Sequence, residues 1–238
     1  MIVKFAVICF AAWQILVGDA NANPLGQLRT QEPTLYKLYA DNKQYSDALK
    51  DYARQQGFRN PYENLGTVIH EMIHITSALH QGFFIQGIYY EPYLRNSAWP
   101  SLRNRDIAPF LYPGEQSVIS AVYLPSTPNN SLGNILDEIN AYSQVASFIC
   151  QNEPQSSKKQ ATNLSGHLSL LGAYLRAARL RFPAEYQNVL VSRESAGAVD
   201  TLYNNAVKAL AACGVSAPKS SNAEILYFLD QHRKRLQH

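Results

Sequence analysis

The chain is 238 residues long, 46% hydrophobic and 16% charged, with 21 Lys and Arg against 18 Asp and Glu. A net charge of +3 with both signs interspersed excludes a highly charged disordered chain; the Arg176–Arg181 and Arg233-Lys234-Arg235 clusters read as solvated helix ends, not a nucleic-acid surface. The length suits one substantial core, and three cysteines without a C-x-x-C pair argue against a redox or cysteine-ligated metal site.

Residues 1–22 read as a leader. Lys4 supplies a positive n-region, Phe5 to Val17 an apolar h-region, and Ala20-Asn21-Ala22 a small-residue cleavage site. The apolar run is short for a membrane span and has no stop-transfer flank. The expectation is therefore an exported chain, secreted or periplasmic and of bacterial type, that starts at Asn23 and forms one domain over 23–238. Cys9 leaves with the leader. The remaining pair, Cys150 and Cys213, is expected to bridge the ends of two helices. No later window is apolar enough to cross a bilayer.

The segment from Asn23 to Pro33 is expected to be extended. Thr34 to Gly57 reads as helical with a break near Asp41-Asn42, packing through Tyr36, Leu38, Tyr39, Tyr45, Leu49 and Tyr52. Asn60-Pro61-Tyr62-Glu63 then gives an N-cap, a proline at the first helical position and a glutamate three after the cap. A helix over about 61–81 follows, with Val68, Ile69, Met72, Ile73 and Leu79 as its apolar stripe and Gly82 as its stop.

This helix carries His70-Glu71-Met72-Ile73-His74. Residues four apart share one face, so His70 and His74 can aim their imidazoles at a single ion. Glu71, turned by about 100° from His70, can reach a water at that ion without ligating it. This H-E-x-x-H arrangement is that of zinc metallopeptidases, and Zn²⁺ is the expected cofactor.

Beyond Gly82, Phe83 to Tyr90 is rich in strand formers around Gln86-Gly87 and reads as a short hairpin. Glu91 to Gly114, with Pro92, Pro100, Pro109 and Pro113, reads as a long irregular segment and as a wall of the cleft. Ser117 to Leu124 is expected to be a strand and Pro125 to Ser131 a loop. The remainder reads as helices at about 132–150, 161–182, 184–193, 198–212 and 222–235.

A catalytic zinc takes a third protein ligand, and two residues compete for that role. His80 has metzincin spacing from the motif, but the position where that pattern needs a helix-ending glycine is Ser77, and there is no methionine turn. If the helix continues, His80 points away from the other two; it then suits the role of partner to the last carbonyls. Glu138 lies on the apolar face set by Ile135, Ile139, Tyr142 and Val145, where an ionised carboxylate is costly unless paired or bound to metal. Glu138 is the expected ligand, with Asp137 and Asn140 as candidate partners for the far imidazole nitrogens.

His-Glu-Met-Ile-His followed by Glu138-Ile-Asn-Ala-Tyr142 resembles the two-helix signature of the gluzincins, shared by thermolysin-like peptidases and several bacterial toxin peptidases. The resemblance covers about 35 residues. It implies an α+β, mainly α, zincin-like domain in which His70, His74 and Glu138 hold zinc and Glu71 is the catalytic base. Thermolysin-like enzymes place an aspartate four residues after the ligand glutamate, where this chain has Tyr142. The expected activity is hydrolysis of a protein or peptide, with peptidoglycan cross-links equally open as substrate. Tyr142 and His167 are conceivable oxyanion donors with simpler structural roles. The alternative is an exported helical binding protein whose metal, if any, is structural.

Overall fold

A computed structural model gives the structure of residues 23–95, 98–116 and 118–237; the leader expected at 1–22 lies outside these described residues. Among these residues helices dominate, and one two-stranded antiparallel hairpin interrupts them. No helix among the described residues is long and apolar enough to cross a membrane. The expectation of a mainly α chain with a small β element holds.

The first element of the described residues is α1 (Pro24–Gln31), in place of the extended segment expected over Asn23 to Pro33. Asn23 caps it by accepting the Gly26 N–H at 2.9 Å, and Pro24 takes the first position. Then come α2 (Pro33–Asp41), a 3₁₀ turn at Lys43–Tyr45 and α3 (Ser46–Gln55), so the expected break near Asn42 is present. The motif helix α4 (Pro61–His80) starts as its sequence dictates: Asn60 Oδ1 accepts the N–H groups of Tyr62 and Glu63 at 2.8 and 3.3 Å.

At its far end the left-handed residue is Gln81 (φ 52°), one position before the glycine expected to stop the helix. Gly82 instead returns its N–H to Ser77 O at 3.1 Å and lets the hairpin close in, since a Cβ there would sit 3.0 Å from Tyr89 Cβ. The hairpin pairs β1 (Phe83–Ile85) with β2 (Ile88–Tyr90), Phe84 facing Tyr89.

After the short α5 (Asn104–Ile107), the strand expected at 117–124 is a helix, α6 (Val118–Ser126). Ser120 and Leu124, one turn apart, are its buried positions among the described side chains, and the hydroxyls of Ser126 and Thr127 donate back to the carbonyls of Val122 and Tyr123. Helices α7 (Leu132–Asn152), α8 (Pro154–Arg181), α9 (Pro183–Val191), α10 (Arg193–Ala212) and α11 (Lys219–Leu236) complete the chain.

Helix α7 is the centre, packing against α4, α8 and α10. On one side Ala141, Val145, Phe148 and Ile149 meet Val68, Ile69, Met72 and Ile73 of α4, over Leu28, Leu35 and Leu38 of the first helices. On the other, Ile135, Ile139 and Ala146 join the larger core built with α8, α10 and α11. The cysteines bridge as expected: Cys150 near the end of α7 to Cys213 after α10, with Cα atoms 5.2 Å apart. The arginine clusters are more engaged than expected, since Arg179 binds the buried Glu224 through two contacts of 2.8 Å and so ties α8 to α11.

Candidate metal centre

Helices α4 and α7 bring His70, His74 and Glu138 to one point. His70 Nε2 lies 3.0 Å from His74 Nε2, and Glu138 Oε2 lies 3.5 and 3.8 Å from these two nitrogens. Three atoms so spaced lie on a circle of radius about 2.0 Å, the bond length from a divalent transition-metal ion to imidazole nitrogen or carboxylate oxygen. The donor set thus fits such an ion in distance as well as in chemistry. All three side chains are 15% exposed or less, so the carboxylate is held where it needs a positive partner.

The side chain behind His74 is Asp137, one of the two candidates for that place. His74 Nδ1 donates to Asp137 Oδ2 at 2.7 Å, which leaves the Nε2 lone pair for a metal. The same oxygen accepts the hydroxyl of the buried Tyr93 at 3.0 Å. No sequence signal had singled out Tyr93. It comes from the irregular segment after the hairpin, whose reach to α7 only the tertiary fold shows. Asn140, the other candidate, serves a different purpose: its side chain donates to Phe84 O at 3.1 Å and accepts from Gln144 at 2.8 Å, fastening the hairpin to α7.

These contacts shift the titration of the metal-free site. Burial by itself lowers the His74 pKa, but the adjoining Asp137 carboxylate, with Glu138 and Glu71, overrides this and raises it to about 10. Burial pulls Glu138 upward; the His70 hydrogen bond and the charges of His74 and His70 win and hold it at about 2.

His80 is elsewhere. Helix α4 continues through it, and its ring is exposed and stacked on Tyr89 with centroids 4.2 Å apart. Ser77, where a turn toward the metal would begin, is buried and accepts the Phe84 N–H at 3.0 Å. Gln81, not His80, serves the helix end, donating its side-chain amide to Ala78 O at 2.6 Å.

A cleft with a cavity of about 60 Å³ opens on the three ligand atoms. Glu71, half-buried, lies on its wall beside His70 and His74. The irregular segment expected to wall the cleft contributes nothing to it among the described residues: Tyr93 reaches Asp137 of α7, Ser101 meets Glu185 of α9, and α5 packs on α8. Tyr52, Gln56 and Phe58 on one side and Gln160 and Asn163 of α8 on the other take that place. Tyr142 lines the cleft with its ring against His70, centroids 4.4 Å apart. His167 does not: it is buried behind Tyr142, and its Nδ1–H donates to Asn163 O at 2.8 Å. Burial above all lowers its pKa, so the ring is neutral with Nε2 as an acceptor, which removes it as a hydrogen-bond donor to an oxyanion.

No family model matches the chain, and the comparisons with curated proteins and with solved structures found no match.

Proposed function

We propose that the chain is an exported zinc-dependent peptidase of gluzincin-like type, with His70, His74 and Glu138 as the metal ligands and Glu71 as the general base. The observation that carries this reading is the triangle of ligand atoms, with its 3.0, 3.5 and 3.8 Å sides, in a cleft that Glu71 also lines. When bound, zinc supplies Lewis acidity, acidifying water and stabilising negative charge on the scissile carbonyl oxygen.

The chain's own groups do the rest. Asp137 holds His74 in the tautomer whose Nε2 lone pair faces the cleft, and the Tyr93 hydroxyl holds Asp137. Glu71, free of the ligand set, accepts a proton from the attacking water at its carboxylate and delivers it to the leaving amide nitrogen. A base beside an open position serves hydrolysis and has no use in a closed structural site, which favours the enzyme over a binding protein. The bridge between Cys150 and Cys213 supports an oxidising compartment, in keeping with the leader-like residues 1–22.

The test is hydrolysis of an unfolded, fluorescently quenched protein by the zinc-loaded chain. Glu71→Gln is expected to keep the metal and to lose activity by at least about 100-fold. Equal turnover in the variant removes Glu71 from the mechanism.

A further inference from the structure

The cleft reaches well beyond the ligand atoms. Helices α4 and α7 run antiparallel along its base, since His74 meets Asp137 at one end and Gly66 packs against Ile149 at the other. The lining steps along α4 as Gly66, His70 and His74, and along α7 as Glu138, Tyr142, Val145 and Ile149. At 1.5 Å per residue the end away from the ligand atoms lies about 12–16 Å from them. An extended peptide covers that distance in about four or five residues.

Phe58 stands at that far end. Its N–H donates to Ala53 O at 3.0 Å, and its carbonyl accepts from Asn64 Nδ2, two residues before Gly66, at 3.2 Å. Lys159 of α8 lays its ammonium over the ring, 3.8 Å from the centroid, and faces Glu63 at 3.7 Å. Asn60 donates to Glu153 at 2.6 Å, so the connection between α3 and α4 is fastened to α8 here. Val145 and Ile149 line the same end but are buried, whereas Phe58, Tyr52 and Gln56 are partly exposed. An incoming group therefore meets the Phe58 ring.

The two ends differ in chemistry. The imidazoles, Glu138 and Glu71 gather at one, where polar groups of a ligand are served. At the other, the charges of Lys159 and Glu63 already face each other beside an aromatic ring. An aliphatic side chain laid on that ring leaves water without giving up a hydrogen bond; a charged one would compete for a partner already engaged. A cavity of about 60 Å³ limits the aliphatic group to a small one.

We propose that Phe58 is a specificity-determining residue, whose ring receives a small aliphatic side chain about four or five residues from the bond that is cleaved. Resting on the peptidase reading, this names the substrate class: an extended chain recognised by an aliphatic residue remote from the scissile bond, on one side of it.

The experiment uses acetylated and amidated glycine–alanine dodecapeptides carrying a single valine, moved one residue at a time, with cleavage sites read by mass spectrometry. For the zinc-loaded protein, kcat/KM is expected to be about ten-fold higher with valine at the remote position than for the valine-free peptide. In Phe58→Ala and Phe58→Gln, with zinc content retained, that ratio is expected to fall to about two or less. A ratio that survives both substitutions, a preference confined to the residues flanking the cleaved bond, or no preference overturns the subsite. The same peptides are titrated calorimetrically into the metal-free protein. Tighter binding of the valine peptide that both Phe58 variants lose, in a chain that neither holds zinc nor cleaves any peptide, leaves the subsite standing and sinks the peptidase reading. Glu71-dependent cleavage without any Phe58 effect does the opposite. Neither cleavage nor Phe58-dependent binding sinks both.

Discussion

The contact between His74 Nδ1 and Asp137 ties metal affinity to pH. In the metal-free protein His74 titrates near 10, well above its unfolded value of 6.5. The folded state therefore binds the extra proton more tightly than the unfolded state does. This contribution to stability is complete below pH 6.5 and is lost as the pH rises toward 10. Glu138 acts in the opposite sense: its carboxylate stabilises the fold above its unfolded value of 4.5 and ceases to do so as the pH falls toward 2. Melting of the metal-free chain should thus weaken across the alkaline window, and His74→Asn should flatten that decline. Zinc must displace the His74 proton, so binding at pH 8 should release about one proton, read from calorimetry in buffers of contrasting ionisation enthalpy. Asp137→Asn should release less and lower zinc affinity by about 10–100-fold. Unchanged affinity in that variant would deny Asp137 its role.

At the scale of elements, close helix approaches make two glycines informative. A Cβ at Gly172 of α8 would lie 2.7 Å from Ser221 Cα on α11, backbone that cannot swing aside. Gly172→Ala should destabilise by about 1–3 kcal/mol in denaturant titration while leaving zinc content intact. At Gly66, one turn before His70, a Cβ would meet Ile149 Cδ1 at 2.3 Å. That atom ends a side chain that can rotate, so Gly66→Ala should be milder, and Ile149→Val, which removes Cδ1 but keeps the Cγ atom at 2.8 Å, should restore part of the loss. Equal penalties at the two positions would contradict this packing.

The same scale shows what the sequence could disclose. Asn60-Pro61 announces α4 because cap, proline and apolar period agree over five turns. Asn23-Pro24 carries the same cap and proline at α1, but eight residues with one buried side chain, Leu28, give no period to confirm it. The α6 stretch reads as a strand because Val118, Ile119, Val122 and Tyr123 are strand formers. What decides its state is packing against α8, which local composition does not encode. Likewise Glu138 is legible as a charge on an apolar stripe, whereas Tyr93 takes its place only through a hydrogen bond to a residue 44 positions on.

Across the whole molecule, the Cys150–Cys213 bridge closes a loop of 63 residues, at the far end of the helix α7 that also carries Glu138 of the candidate metal centre. Loop closure of that length is worth up to about 4 kcal/mol. Replacing both cysteines by alanine should lower stability by about 2–4 kcal/mol yet keep zinc stoichiometry, since Glu138 sits more than three turns away along α7. Loss of metal on removing the bridge would show that α7 is not held in register by its packing against α4 and α8.

The proposed chemistry depends on one ligand set drawn from two helices. Metal analysis of the purified chain, wild type beside Glu138→Ala and His80→Ala, tests it most directly. About one equivalent of zinc is expected in the wild type and in His80→Ala, with Glu138→Ala losing it. Metal retained without Glu138, lost with His80, or missing from all three would contradict the two-helix site.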